Sequence, residues 1–438
     1  MAPPWVLLDR RVSFVRSGPA VIDGSWDYDD LLAARDADMK NMKPNLHIAD
    51  PPEVSRLSMV RQMDVKNVRC GIISCTDKAL VLLFAGLPGL HKGYLVYDAS
   101  SKSISWIPSL PGSLNCMLRA AILSLGKGSY LLAELVRGPE LGLVTLYQWR
   151  STSNTRRGRW IRSAARPPPH LFMTHSFHID MVFSYGSSSV CWVDLLRGVL
   201  ICDLLKSPEP EFTFVPLPLG YCIDVPSEPR QGRPRPKEFR TMGCVGGVIK
   251  FVTVVGYYGN HSHDDMLLKT WTLSPDHKEW ELCNTLAVPH LWASDSFRER
   301  NLPQIRPSFP IISPDDAEIV NVTLSDIEYE KKVDFFGVVH RGRMLLKAQY
   351  LVSINTVKNK VLSSCKLTHE YPRPKFLDLT ASDLSAYVQD SNDVCKGQAW
   401  NKQEEEQSTS GAYLTQEQLG RGSIEGLTLD RGTRKRKY

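Results

Sequence analysis

The sequence predicts an all-β chain: a β-propeller-like ring of five to six four-stranded blades, with a short N-terminal helix and a disordered C-terminal tail. Three observations carry that expectation. A two-strand unit recurs along the chain, two further apolar stretches precede several of its copies, and successive copies begin roughly 50 to 80 residues apart, the scale of a four-stranded repeat. The rival architecture is a large β-sandwich, which uses similar strands without rotational repetition.

In each unit an apolar strand ends near a small polar residue, a polar turn follows, and a second strand carries an aromatic. The clearest copies are 93–108 (GYLVYDASSKSISWIP) and 198–216 (GVLICDLLKSPEPEFTFVP), followed by 143–162 and 268–283. A weaker fifth, 349–365, lacks the aromatic that the others place at Trp106, Phe214, Trp160 and Trp280. Upstream, Met181–Ser184 with Val190–Leu195 and Met242–Val245 with Val248–Val255 supply two more strands each. The turns between them, Gly186-Ser187-Ser188 and Gly246-Gly247, suit tight hairpins. An N-terminal strand, Trp5–Val15, is placed to pair with late strands, close the ring and complete a sixth sheet.

The remaining segments read differently. In 27–42 (DYDDLLAARDADMKNM) acids come first and lysine late, the charge order a short helix favours. The Pro/Arg-rich stretch 226–240 is a connector. From about Ser391 apolar periodicity vanishes, so a tail without fixed structure is expected. The expected divisions are 1–60 for the N-terminal strand and helix, 61–370 for the β-domain, and 371–438 for the mostly disordered tail.

Composition narrows the class. Hydrophobic residues at 42% and charged residues at 23% describe an ordinary globular chain, and a net charge of +6 is too mild to indicate a nucleic-acid protein by itself. The ten cysteines contain no Cys-x-x-Cys pair, and several sit in apolar runs, so reduced core thiols are expected rather than disulfides or zinc. The apolar stretch at the N-terminus ends at Asp9, too short for a secretory signal, and no run approaches a membrane span. The expected location is intracellular, in cytoplasm, nucleus or both, with no membrane partner.

The opening Trp5-Val6-Leu7-Leu8-Asp9-Arg10, the strand Tyr94–Asp98 with Ile107-Pro108-Ser109-Leu110-Pro111, and the central Trp192-Val193-Asp194-Leu195-Leu196-Arg197-Gly198-Val199-Leu200-Ile201-Cys202-Asp203 resemble the domain of unknown function 1618. Phe214-Val215-Pro216-Leu217-Pro218 and Gly247–Val252 are similar to it as well, and the resemblance runs from about Pro4 to Leu367. It implies a plant origin, in a family expanded in grasses, and an architecture related to the propeller-like domains of F-box and kelch proteins. That family has no established activity, so it lends no functional residues. An F-box would need about 40 helical residues near the N-terminus, and 1–51 offers one short helix.

Candidate chemistry is sparse. His261-Ser262-His263-Asp264-Asp265 has the residue types of a metal site, but Tyr257-Tyr258-Gly259-Asn260 before it reads as a turn, where the alternation that would align the ligands fails. No nucleophile elbow, zinc-helix motif, phosphate loop or dinucleotide fingerprint occurs, so no catalytic residue, metal or cofactor is expected. Segment 150–166 carries Arg156, Arg157 and Arg159 among its arginines, has no acid and interleaves Trp160. It could grip phosphates, although a basic hairpin tip with Trp160 packed inside the blade, or an acidic protein partner, accounts for it better. The terminal Arg434-Lys435-Arg436-Lys437 could direct nuclear import.

The expectation is therefore a non-enzymatic protein-interaction scaffold with an unidentified protein partner. The connectors 163–175, 221–240 and 284–306 form the recognition face, and Trp292 and Phe297 act as its anchors. The alternatives are an enzyme, with His or carboxylate groups from at least two blades converging in the channel, and a nucleic-acid binder through the arginine hairpin.

Overall fold

Four strands to a sheet is the rule through most of the molecule, and the reason lies in burial. In a ring, each sheet has neighbours on both faces, so its middle strands can be apolar on both sides. Strand β6 (Leu80–Ala85) is buried at every position, β14 (Ser189–Asp194) at every position but its first, and β15 (Gly198–Asp203) at every position but its last. Outer strands such as β8 (Ser103–Pro108) and β16 (Phe212–Pro216) stay half open. The computed structural model describes residues 3–16, 41–61, 70–85, 93–108, 110, 120–137, 144–151, 159–163, 166–171, 177–206, 209–223, 233–257, 265–333, 339–367 and 377–388. All lie in the compact unit Met1–Gln389.

Blade one is β5 (Cys70–Asp77), β6, β7 (Gly93–Asp98) and β8; blade two is β9 (Ala121–Gly126), β10 (Ser129–Arg137), β11 (Val144–Arg150) and β12 (Ile161–Arg162). Blade three runs from β13 (Met181–Tyr185) through β16. Blade four is β17 (Arg240–Val245), β18 (Val248–Val255), β19 (Leu267–Leu273) and β20 (Trp280–Ala287); blade five is β21 (Pro307–Ile312), β22 (Ile319–Val333), β23 (Val339–Asn355) and β24 (Lys360–Lys366). Every pairing within these blades is antiparallel between consecutive strands. All five predicted two-strand units are the third and fourth strands of a blade, and Gly246-Gly247 is the left-handed hairpin turn its sequence requires.

A sixth sheet, continuous with blade one through β2 and β5 so that the two make nine hydrogen-bonded strands, closes the ring. Strands β1 (Val6–Asp9) and β2 (Arg11–Arg16) form one path broken at Arg10. One edge pairs with β4 (Val54–Arg61), whose far side carries β3 (Lys43–His47). The other edge is shared: β1 takes β25 (Leu379–Ser382), and β2 takes β5 of blade one. The N-terminal closing strand is therefore as expected, but its late partner lies at 379–382, inside the stretch assigned to the tail. Apolar residues at Leu384 and around the closure recruit this segment into the core. The predicted helix 27–42 falls outside the described residues except at its last two positions.

First strands line the centre, where those of neighbouring blades pack on one another. Asp77, at the end of β5, ties three blades together: one oxygen accepts from the Ser124 N–H of β9 at 2.6 Å, the other from the Ser184 hydroxyl of β13 at 2.7 Å. Around it, apolar cores fill the gaps between blades. One cluster joins blades one to three (Leu82, Ile122, Trp149, Val190, Trp192), another blades three and four (Val193, Ile201, Ile249, Phe251), another blades four and five (Val252, Leu268, Val320, Val322, Ile354), and another blade one and the sixth sheet (Leu8, Met59, Leu83, Leu95).

An aromatic device repeats in alternate blades. At the start of β7 and of β15 stand Gly93 and Gly198; a Cβ at either would overlap the Trp106 or Phe214 ring that lies across it. Each of those outer strands ends in proline, and the next blade staples itself there. The Trp160 indole N–H donates to the Pro108 carbonyl at 2.8 Å, and that of Trp280 to the Pro216 carbonyl at 2.8 Å.

Candidate functional site

Three features of this ring could engage another molecule: a charged mouth, a basic outer edge and a projecting arm. The mouth lies where the first strands begin, because Asp180 and Asp378 immediately precede β13 and β25, Lys237 lies three residues before β17, and Arg10 sits at the break between β1 and β2. Arg10 donates to the Ile73 carbonyl at 2.8 Å and to Asp378 at 3.1 Å, and Lys237 reaches the same carboxylate at 3.5 Å. Beside them, Arg233 forks onto both Asp180 oxygens at 2.8 Å and onto Asp194 at 2.7 Å. The backbone completes the set: Leu195 N–H donates to Asp180, and His178 and Leu196 N–H groups donate to Asp194.

Electrostatics follow from these contacts. At Asp180 burial alone would raise the pKa, but hydrogen bonds from His178 and Arg233 outweigh it and hold the carboxyl below its usual range. At Asp194 burial wins and the value lies above that range. Burial pulls the Lys237 ammonium down to about 8, aided by the Arg10 cation and resisted by Asp378. Carboxylates and cations from several elements thus converge at the channel, as the enzyme alternative requires. They are spent on one another: Asp180 and Asp194 each accept from a guanidinium and from backbone amides. The arrangement is a clamp that fixes the connector at Arg233 and Lys237 to the strands around it. Among the described residues no group of three or more His, Cys, Asp or Glu side chains is placed to hold a metal ion.

The predicted partner-binding residues scatter. Arg156 and Arg157 lie outside the described residues, as does His261-Ser262-His263-Asp264. Arg159 is exposed just before β12. Trp160 packs inward, edge-on to Tyr94 and Trp149. Trp292 and Phe297 are not surface anchors. The stretch 284–306 finishes β20 and then forms two short helices, α1 (Val288–Ala293) and α2 (Asp295–Arg298), whose apolar faces plug the core between blades four and five. Phe297 is 2% exposed and Trp292 7%. Pro289 at the helix start and the i, i+3, i+4 spacing of Val288, Leu291 and Trp292 were the available helical signals.

At the outer edge of blade two, Thr145, Arg162, Ser163 and Arg166 line a cleft of about 280 Å³. Ser163 is fixed by its N–H to the Leu146 carbonyl at 2.9 Å, and both arginines are exposed. Nothing in the sequence singled out this cleft beyond its arginine content.

The arm belongs to blade five. β21 pairs with β22 only as far as Leu324, and β24 with β23 only from Tyr350 onward. Beyond them, Ser325–Val333 and Val339–Ala348 pair only with each other among the described residues, while the Gln349 carbonyl still accepts from the Leu367 N–H at 2.9 Å. At about 3.3 Å per residue this ribbon reaches roughly 30 Å past the sheet. Bulges at Asp326/Ile327 and Tyr329/Lys331 twist it, Lys347 bridges to Glu328 at 2.9 Å, and Tyr329 and Leu345 are exposed.

Residues 192–321, from the middle of blade three through blade four into β22, match the family model described as protein of unknown function (DUF1618). Over this segment the chain is similar to the DUF1618 family. The segment carries Asp194, Arg233 and Lys237 of the clamp, but neither the cleft of blade two nor any of the arm. No curated protein matches the chain. Among solved structures, it is similar to the Nup133 β-propeller domain of Vanderwaltozyma polyspora, at 11% identity and a TM-score of 0.37, covering 74% of this chain and 75% of that one. It is also similar to an ancestral GH74 enzyme, at 9% identity and a TM-score of 0.30, covering 76% of this chain and 52% of that one. The ring of this chain rests on its own strand order rather than on these likenesses. No helix among its described residues is long and apolar enough to cross a membrane.

Proposed function

We propose that this chain is a non-enzymatic, intracellular protein-interaction scaffold whose chief binding element is the arm of blade five. The observation that carries the reading is the ribbon Ser325–Val333 with Val339–Ala348, whose outer edges have no strand beside them among the described residues. Such an edge offers a row of backbone donors and acceptors, and a partner segment in extended conformation can add to it. By sequence, 339–349 holds Arg341 and Arg343 and no Asp or Glu, so we take the occupant to be an extended segment rich in acids. The free thiols of Cys75, Cys191 and Cys202 in the core support a reducing compartment.

A photo-crosslinking residue at Leu345, compared with one at Val357 in the turn after β23, tests this in extracts of the source organism. The expected result is a crosslink from position 345 to an acidic, extended peptide of one protein. That crosslink should be competed away by excess unlabelled protein, but not by protein in which residues 326–348 are replaced by an Asn-Gly turn. Equal crosslinking from both positions would overturn the reading.

A further inference from the structure

We infer that the cleft on the outer edge of blade two binds a phosphorylated serine or threonine in an extended protein segment. From Leu141 to Ile179 the sequence contains no Asp or Glu, while it carries Arg150, Arg156, Arg157, Arg159, Arg162 and Arg166. The fold gathers two of these, Arg162 at the end of β12 and Arg166 four residues on, around a recess that Thr145 and Ser163 also line. Neither arginine forms an ion pair with a described carboxylate, in contrast to Arg10 and Arg233 at the mouth. Two guanidinium forks beside the Thr145 hydroxyl are a donor set for a dianionic, multi-oxygen group, which each fork can grip through paired N–H bonds.

Size and surroundings choose the source of that phosphate. A volume of about 280 Å³ is at the small end for ligand pockets, enough for one phosphorylated side chain. A nucleic-acid strand would need aromatic faces on which bases stack. The aromatic beside the recess, Trp160, is already committed: its N–H is given to Pro108, and its ring packs edge-on with Tyr94 and Trp149. In place of a stacking platform, the site offers Ile161, 54% exposed, next to Arg162 on a two-residue outer strand. The ligand is therefore a phosphorylated residue with an apolar neighbour, lying along β12.

The site is separate from the arm, and the experiment keeps them apart. Full-length protein is titrated, by fluorescence anisotropy, into a labelled peptide library with a central phosphoserine or phosphothreonine flanked by apolar residues. The unphosphorylated library and a single-stranded 12-mer oligonucleotide are run alongside. Expected is at least tenfold tighter binding of the phosphorylated library than of either probe. Arg162→Gln with Arg166→Gln should remove that preference without moving Tm, since both side chains are exposed; Arg162→Lys should weaken it several-fold, because an ammonium cannot fork. The variant lacking 326–348 should bind the phosphorylated library normally. Equal binding of the two libraries, a stronger grip on the oligonucleotide, or indifference to the double substitution would overturn the site while leaving the arm untouched.

Discussion

Blades one to four and the junction of blade five with the sixth sheet are held together by different physics. In the first region every gap is filled by interdigitating apolar chains, and Trp160 and Trp280 staple one blade's outer strand to the last. At the junction, alternation along β22 puts Val320, Val322 and Leu324 toward blade four and turns Asn321 and Thr323 to the other face, where Ser308, Ser353 and Asn355 are also buried. The facing side of β4 leaves Val54, Ser58 and Val60 half-buried and Arg56 exposed. Among the described residues, no apolar cluster spans that junction. The closing contacts are instead the β1–β25 ladder and the Arg10–Asp378–Lys237 group. A ring whose two ends meet late in folding gains register from directional bonds where apolar contact alone would tolerate slippage.

If that contrast is real, the two regions answer mutation on different scales. The largest effect is expected at Trp192, fully buried between blades two and three. Trp192→Ala removes a large aromatic from a close-packed site and should cost about 3–5 kcal/mol, read from the denaturant midpoint. A loss under about 1 kcal/mol would mean the blades are looser than their packing indicates.

An intermediate effect is expected at Asp378. Its carboxyl is pulled up by burial, but the charges of Arg10 and Lys237 outweigh this and hold its pKa below the usual range. A depressed carboxylate adds stability that is complete above its unfolded pKa of about 4 and fades as pH falls through the folded value. Asp378→Asn should therefore cost about 1–2 kcal/mol at pH 7, less than a fully buried pair because the side chain stays 34% exposed. The gap between variant and wild type should close below pH 3. Hydrogen exchange at pH 7 should show the added opening in β1 and β25 and none in blades two and three. A pH-independent cost would assign the residue a packing role.

How much of this was legible differs between the same two regions. The strand pairs of blades one to four announce themselves because each carries its own signals: the Gly93 and Gly198 that admit an aromatic, the terminal prolines, and hairpin glycines such as Gly246-Gly247. Long-range facts do not. Nothing local in Leu379–Ser382 says it pairs with Val6–Asp9, since closure depends on where the ring delivers the chain. The arm was hidden because Ser325–Val333 alternates like any half-exposed strand, and only the shortness of β21 and β24 makes it project. Trp292 and Phe297 misled for the opposite reason. Large aromatics in a connector resemble anchors until the helical spacing around Val288 and Leu291 turns them inward. The clamp at Asp180, Asp194 and Arg233 joins residues that composition alone cannot bring together.

The smallest effect is expected at the polar junction itself, and it is the sharpest test of the contrast. Asn321 accepts a hydrogen bond from the Ser353 hydroxyl, while its own Nδ2 is buried without a hydrogen-bond partner among the described residues. Truncating one partner would strand the other, so both must go together: Asn321→Leu with Ser353→Ala replaces the pair by apolar groups of similar size. Stability should change by less than about 1 kcal/mol, and a gain is as compatible as a loss, because the unsatisfied amide disappears with the bond. One residue along the same strand the answer reverses. Val322→Asn puts an amide into the apolar core shared with blade four and should cost about 2–4 kcal/mol. Should the double replacement instead prove as damaging as Val322→Asn, the junction would be as closely packed as the other gaps, and its polarity would serve stability rather than alignment.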